Sequence, residues 1–171
     1  MTSTHAIRWG AVLFGLWAVA FACRSALHVT FGLQADYFSA PQSATPAFRV
    51  VDPDVSTGQV TARWLGDPPP AFRVNWSGYL TATEPGVYVF TTRSDDGSTL
   101  TIDGQIAIDN SGVHGPATRT ASVTLRRGAH AVLLEYLQAA GDFEISWLPR
   151  LPPCTRWGSR TCSCTPRSSR L

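Results

Sequence analysis

Apolar and polar residues alternate along most of the chain after residue 70. Phe72, Val74 and Trp76 alternate with polar residues in the first of these runs. A period of two places successive side chains on opposite faces, so this pattern predicts a half-buried β-strand. Comparable runs follow, and we find no helical periodicity after residue 32. They lie at residues 87–92, 123–125, 131–136 and 143–147.

Turn-forming residues separate these runs at short intervals. Many short strands with such regular turns predict an all-β fold, an antiparallel β-sandwich or barrel. Asp103-Gly104 joins two short apolar runs and predicts a tight hairpin, because glycine accepts a positive φ. The other turn signals are Glu84-Pro85-Gly86, Gly97, Gly115-Pro116, Arg126-Arg127-Gly128 and Gly141-Asp142.

Residues 39–70 are less regular than the rest of the chain. Their proline and aspartate content favours long loops. We predict two short strands within this segment, near residues 48–51 and 60–64.

The first 31 residues predict a targeting segment, one hydrophobic helix preceding the β-domain. Residues 9–23 carry no charge and are bounded by Arg8 and Arg24. This length suits the apolar region of a signal peptide and is shorter than the ~20 residues that span a bilayer. A retained membrane anchor is the alternative. Either interpretation predicts a domain outside the cytoplasm, secreted or membrane-anchored, with membrane contact through this segment.

The last 21 residues differ abruptly in composition from the preceding strands. Residues 151–171 are rich in proline, serine, threonine and arginine, which predicts a disordered tail. Its Cys154, Cys162 and Cys164 match no standard zinc spacing, and a disulfide after export is an open alternative. A frameshift is another interpretation of this tail, in which case the natural protein is longer.

Length and charge limit the classes of protein to consider. With 171 residues, of which 44% are hydrophobic, the chain can form one domain with a substantial core, which we place at residues 32–150. The formal net charge of +2 gives no indication of nucleic-acid binding. We therefore expect no nucleic-acid partner.

An acidic cluster adjoins the predicted hairpin. Asp95 and Asp96 end one apolar run, and Asp109 and Asn110 end the run after the hairpin. The hairpin returns the chain toward its start, so these four residues should lie near one end of a sheet. Adjacent carboxylates repel each other and favour a hard cation with oxygen ligands, above all Ca²⁺.

The chain resembles the PA14 domain family in several motifs, which appear in the family's order. These are GLQADYF from Gly32, WSGYLTATEPGVYVF, SDDGSTLTIDGQIAIDNSGVHG, SVTLRRGAHAVLLEY and GDFEISW, which ends at Trp147. The resemblance covers roughly two thirds of the chain and implies a β-sandwich or barrel. It implies less about function, because this module serves different proteins in different ways.

The resemblance also implies a metal site. In the adhesins of this family, two adjacent aspartates joined by a cis peptide hold calcium, which coordinates sugar hydroxyls. The matching residues here are Asp95 and Asp96, with Asp109 and Asn110 as further candidates. The alternative is structural: Asp95 accepts backbone N–H groups in a tight turn that Asp96-Gly97 forms.

The sequence also offers candidate ligand contacts outside the acidic pair. His114 lies in a glycine-rich loop after the cluster, where either a glycan contact or a loop-stabilising hydrogen bond is compatible with the sequence. Among the aromatic residues, Tyr79 lies on the opposite face of its strand from Trp76 and is the one we expect to be exposed. We therefore take Asp95, Asp96, Asn110 and His114 as candidate ligand-binding residues.

Catalysis finds no support in the sequence. The serines lack a Gly-x-Ser-x-Gly frame, and the neighbouring Asp95 and Asp96 do not predict two carboxylates facing each other across a cleft. We therefore expect a module without enzymatic activity, and the PA14 resemblance implies that it recognises glycans, such as cell-surface carbohydrate. The alternatives are an accessory domain of a larger membrane protein, such as an envelope glycosyltransferase, and an ancillary module of a secreted glycosidase.

Overall fold

A computed structural model of the protein describes residues 32–150. In this part of the chain nine strands and one short helix follow each other. The elements are β1 Leu33–Phe38, β2 Phe48–Asp52, α1 Thr57–Arg63, β3 Phe72–Ala82, β4 Gly86–Asp95, β5 Gly97–Ile102, β6 Gln105–Asn110, β7 Ala117–Leu125, β8 Gly128–Gln138 and β9 Glu144–Arg150.

The strands form two antiparallel sheets packed face to face. The larger sheet has six strands in the order β2-β1-β3-β8-β5-β6, and the smaller has three in the order β7-β4-β9. Every paired strand runs antiparallel to its neighbour. The predicted all-β antiparallel fold is confirmed, and the two separate sheets make it a sandwich, one of the two alternatives that the sequence left open.

The core lies between the two sheets and follows the alternation in the sequence. Phe72, Val74 and Trp76 on β3 are fully buried, as are Phe90 on β4 and Leu134 on β8. Burying an aromatic or branched aliphatic side chain contributes about 1.5–3 kcal/mol each. Each strand directs alternate side chains into the interior that the two sheets share. The burial of these side chains holds the sheets together.

The hairpin predicted at Asp103-Gly104 is present between β5 and β6. Ile102 pairs with Gln105, so the loop has two residues, and both have positive φ, 50° at Asp103 and 78° at Gly104. This is the backbone of the turn that Asp-Gly favours.

The predicted strand at residues 60–64 is wrong, because most of this segment belongs to helix α1. The Ser56 side chain accepts a hydrogen bond from the backbone N–H of Gln59 and caps the helix. Val60 is fully buried, which docks the helix on the core. The strand predicted at residues 48–51 is confirmed as β2.

A buried carboxylate, Asp52, binds two side chains of helix α1 that lie four residues apart. Asp52 is 1% exposed, and its Oδ1 accepts hydrogen bonds from Gln59 Nε2 at 3.1 Å and Arg63 Nε at 2.8 Å. Its Oδ2 accepts from the Tyr37 hydroxyl and Trp76 Nε1. Residues four apart are direct neighbours on the surface of a helix. The helical conformation of this segment therefore brings both donors to the same carboxylate.

The N-terminal hydrophobic helix and the disordered tail lie outside the described residues. Within residues 32–150, no helix has the length and apolar character needed to cross a bilayer.

Candidate functional site

The Asp95–Asp96 pair lies where the chain passes between the two sheets. Strand β4 of the smaller sheet ends at Asp95, and β5 of the larger sheet begins at Gly97. The peptide bond between Asp95 and Asp96 is cis, the conformation that the family resemblance implied. The two carboxylates therefore stand at one end of the sandwich, in a sharp corner between its layers.

Asp96 is buried and fastened to two distant segments. It is 4% exposed; Oδ1 accepts the His114 backbone N–H at 3.0 Å, and Oδ2 accepts the Ala139 backbone N–H at 2.8 Å. Charge-assisted hydrogen bonds of this kind are among the stronger ones in proteins. Among the described residues, these N–H bonds belong to Asp96, and the Asp95 carboxylate accepts no N–H of its own turn.

Gly97 is required by close packing rather than by a positive φ. A Cβ at this position would lie 2.7 Å from the carbonyl oxygen of Gly112 and 3.0 Å from its nitrogen. The loop of residues 111–116 therefore approaches the backbone of the corner directly. This contact, together with the Asp96–His114 bond, holds the loop over the acidic pair.

Asp95 is oriented through its backbone. Its carbonyl oxygen accepts a hydrogen bond from the buried Tyr136 hydroxyl, which also lies 3.1 Å from Gln138 Oε1. Burial, and then the carboxylates of Asp96 and Asp95, raise the pKa of Tyr136 above its usual value, so the hydroxyl keeps its proton. Among the described residues, no hydrogen bond engages the half-buried Asp95 carboxylate, which is left open to a ligand.

Asn110 supplies an oxygen that lacks a donor. Its side chain is 3% exposed, and Nδ2 donates to Ser94 Oγ at 2.8 Å and to the Ala117 carbonyl at 3.3 Å. Because that carbonyl can only accept, it fixes the amide orientation. Oδ1 is buried without a partner in the part of the chain described. Such an acceptor is costly in a protein interior and fits a site for a bound cation.

His114 stabilises the loop that covers the pair. Its Nδ1 lies 2.8 Å from the Gly115 carbonyl oxygen and its Nε2 lies 3.0 Å from that of Asn110. Both oxygens can only accept, so the ring satisfies both contacts when doubly protonated. These two carbonyls, Asn110 first, raise the pKa of His114. The ring is thus engaged within its own loop, and its backbone N–H makes the contact with the acidic pair.

Asp109 does not join the other two aspartates. Its side chain is exposed on the face of β6 opposite Asn110, and Oδ1 accepts the Ser111 N–H at 3.0 Å. Hydrogen bonds from Ser111 lower the pKa of Asp109. Within residues 32–150, no three or more His, Cys, Asp or Glu side chains cluster as metal ligands. A cation here would therefore depend on two carboxylates and neutral oxygens, a combination that Ca²⁺ accepts.

The sequence interpretation missed the polar network beneath the site. Ser94 and Ser98 are buried, their hydroxyls lie 2.9 Å apart, and Ser94 accepts from Asn110. The signal was present, because Ser94 occupies an inward position in the alternation that begins at Tyr88. A polar residue at such a position indicates a buried hydrogen-bond network or a site.

One family model matches most of the chain. The family model described as "PA14 domain" matches residues 30–151. No curated protein sequence matches the chain.

Several solved structures share the fold at low sequence identity. An anti-sigma factor domain-containing protein has a TM-score of 0.62 and 21% identity over 71% of this chain, which spans 43% of that protein. The PA14 domain of the MpAFP antifreeze protein has a TM-score of 0.61 and 19% identity over 73% of this chain and 84% of that domain.

A third similar structure is an epithelial adhesin A domain from Candida glabrata, subtype-switched from 9 to 1 and solved in complex with β-lactose. Its TM-score is 0.56 and its identity 13%, over 74% of this chain and 83% of that domain. At these identities the likeness concerns the fold.

Proposed function

Because the chain belongs to the PA14 domain family, whose model covers residues 30–151, we propose that it is a non-catalytic carbohydrate-recognition module acting outside the cytoplasm, assisted by calcium. Asp95, Asp96 and Asn110 would hold the ion. The observation that carries this proposal is the Oδ1 of Asn110, which is buried without a partner among the described residues, in a residue that His114 connects to Asp96.

The donor set matches what calcium requires. Ca²⁺ takes six to eight oxygen ligands from carboxylates, amide and backbone carbonyls, and water. The Asp95 carboxylate is open, Asp96 is fixed by two backbone N–H groups, and Asn110 Oδ1 is neutral. When bound, calcium supplies coordination positions for the hydroxyl groups of a sugar.

The surrounding residues pre-organise these donors. Tyr136 fixes the backbone of Asp95, and His114 connects Asp96 to the carbonyl of Asn110. Donors held in place before binding lose little conformational entropy when the ion arrives. The adhesin domain of the same fold that was solved with β-lactose supports carbohydrate as the ligand class.

A structural role is the second candidate function, and one observation favours it. Both oxygens of Asp96 already accept backbone N–H groups from residues far away in sequence. Asp96 therefore has a structural role that needs no metal: it binds the 111–116 loop and the end of β8 to the turn between β4 and β5. In this alternative the domain is an accessory part of a larger membrane protein, such as an envelope glycosyltransferase, or of a secreted glycosidase.

The test measures the melting temperature with millimolar Ca²⁺ or with chelator. A ligand at about 100 times its Kd adds roughly 2.7 kcal/mol, which corresponds to a rise on the order of 5–10 °C for a chain of this size. We expect this rise in the wild-type chain and none in Asp95→Asn, whose carboxylate makes no other bond among the described residues. Asp96→Asn should also lose it.

Asp109→Asn is the matched control, because it removes a carboxylate of the same sequence cluster from the opposite face of β6. It should respond to calcium like the wild type. An equal rise in all four proteins, or no rise in any, would leave only the structural role. Glycan-array binding with and without chelator then tests whether recognition of sugar requires the ion.

A further inference from the structure

An exposed tyrosine marks a second surface, on the outer face of the six-stranded sheet. Tyr79 is 74% exposed, although its neighbours on β3 contribute to the core. It borders an open groove of about 580 Å³ that Gly32, Gln34, Val51, Ser77 and Ala131 also line. The functional site described above uses none of these residues.

The neighbours of Tyr79 leave its ring uncovered. Ala131 pairs with it across β8, and Gly32 lines the groove beside it on the side of β1. Neither residue has a side chain larger than a methyl group. Within the described part of the chain, the 74%-exposed ring of Tyr79 presents a flat apolar platform to solvent.

Neutral hydrogen-bonding groups stand next to this platform. Gln34 pairs with Ser77 across β1 and β3, and Ser77 shares the face of Tyr79 two residues away. Among residues 32–150, the side chains that line the groove are all uncharged. The Asp103 carboxylate, which approaches the groove at Ala131, is already engaged: its Oδ1 accepts the Ala131 N–H at 2.9 Å and its Oδ2 lies 2.6 Å from His130 Nδ1.

We propose that this groove is a second, calcium-independent binding site for a neutral saccharide, with one pyranose ring stacked on Tyr79 and hydroxyl groups bonded by Gln34 and Ser77. The C–H groups of a pyranose form an apolar face that matches an aromatic ring, and its hydroxyls match an amide and a serine. The groove volume lies within the range of small-ligand sites.

The dimensions favour a saccharide over a protein partner. A stable protein interface buries about 800 Å² on each side around an apolar centre. Here the apolar surface is the Tyr79 ring, the 38%-exposed Val51 and the half-buried Leu133, and the next row of the sheet is polar, with Asp36, Asn75 and Glu135. The patch is large enough for one or two sugar rings.

The two sites are far enough apart to act independently. Strand β3 begins at Phe72, which pairs with Gln138, next to the Ala139 N–H that binds Asp96. Tyr79 lies seven residues further along β3, about 23 Å at 3.3 Å per residue. A ligand on Tyr79 therefore needs no contact with the acidic pair.

The experiment is a glycan array of neutral and acidic oligosaccharides, probed with the full-length chain in excess chelator. We expect binding to neutral glycans that falls about tenfold in Tyr79→Ala and persists in Tyr79→Phe, which keeps the ring. Val87→Ala, which shortens a 51%-exposed residue on the smaller sheet, should bind like the wild type. Asp95→Asn should also keep this binding, even if the calcium proposal fails.

Three results would overturn the proposal. The wild type fails to bind neutral glycans in chelator, or Tyr79→Ala binds them as well as the wild type does. The third is that Tyr79→Ala changes only the oligomeric state, measured by sedimentation. The last would identify the face as a contact between copies of the chain. Circular dichroism and melting temperature, unchanged in Tyr79→Ala, exclude misfolding as the cause of lost binding.

Discussion

Two Asp-Gly dipeptides lie at opposite ends of the sandwich and have different structural roles. Asp103-Gly104 is a two-residue hairpin in which both residues have positive φ. Asp96-Gly97 is a crossing between sheets, and Gly97 is needed because the Gly112 backbone lies against it. The same pair of residue types thus serves a local turn in one place and a long-range packing contact in the other.

The two aspartates differ in the same way. Asp103 bonds to the strand beside its own hairpin: Oδ1 accepts the Ala131 N–H at 2.9 Å, and Oδ2 lies 2.6 Å from His130 Nδ1. Asp96 bonds to the 111–116 loop and to the residue after β8. The first carboxylate is exposed and the second is buried. The comparison teaches that burial and distant partners, rather than the dipeptide, distinguish a candidate site from a turn.

The largest difference is expected between Gly97→Ala and Gly104→Ala. Alanine at 97 meets backbone atoms at 2.7 and 3.0 Å, so the loop must move, at a cost near the upper end of ~1–3 kcal/mol. Alanine at 104 meets no atom within 4 Å but must adopt φ +78°, at a cost of about 1 kcal/mol. Urea unfolding measures both values. A smaller loss of stability for Gly97→Ala than for Gly104→Ala would contradict the packing explanation.

The next effect distinguishes two buried tyrosines. The Tyr136 hydroxyl donates to the carbonyl of Asp95, and the Tyr88 hydroxyl donates to that of Glu84 near the hairpin end. Each Tyr→Phe variant should lose about 1–2 kcal/mol of unfolding free energy, because a carbonyl loses its donor. Only Tyr136→Phe should also weaken the response to calcium. A calcium titration followed by melting temperature checks this, and equal responses would argue against a positioning role for Tyr136.

The smallest expected effect is a pH dependence of the unfolding free energy. It arises at the end of the sandwich that holds the Asp103-Gly104 hairpin. Hydrogen bonds to Asp103 and then to the Arg126 carbonyl raise the pKa of His130, and the bond to His130 lowers the pKa of Asp103. A raised histidine pKa stabilises the fold below about pH 6.5, and this contribution is lost as pH rises through the folded-state pKa. The lowered Asp103 pKa contributes above about pH 3.8 and is lost in acid.

The pair should therefore stabilise the fold most between about pH 4 and 6.5. Unfolding free energy measured from pH 5.5 to 8 should fall in the wild type and fall less in His130→Gln, with His114 responsible for a remaining slope. Arg127→Gln, which removes a charge from the adjacent turn, is the control and should keep the full slope. A slope that His130→Gln leaves unchanged would show that the pair does not contribute.

The sequence by itself determined most strands, the hairpin and the all-β antiparallel class, while the choice between sandwich and barrel came from the tertiary structure. Alternation along β3 and a turn at Asp103-Gly104 are local properties, because side-chain direction and permitted φ depend on neighbours in the chain. Helix α1 was not predicted, because two of the contacts that support it are tertiary: Asp52 on β2 accepts from Gln59 and Arg63, and Val60 packs into the core. Propensity alone does not contain such a contact.

Only the tertiary structure decided the composition of the candidate site. The sequence grouped Asp95, Asp96, Asp109 and Asn110 by proximity. The fold instead placed Asp109 on the exposed face of β6 and Asn110 on the buried face, where His114 connects it to Asp96. Whether the ring of an aromatic residue such as Tyr79 is exposed to solvent likewise depends on the side chains of the neighbouring strands. The physical reason is the same in both cases: a polar or aromatic group acquires its role from what surrounds it in three dimensions.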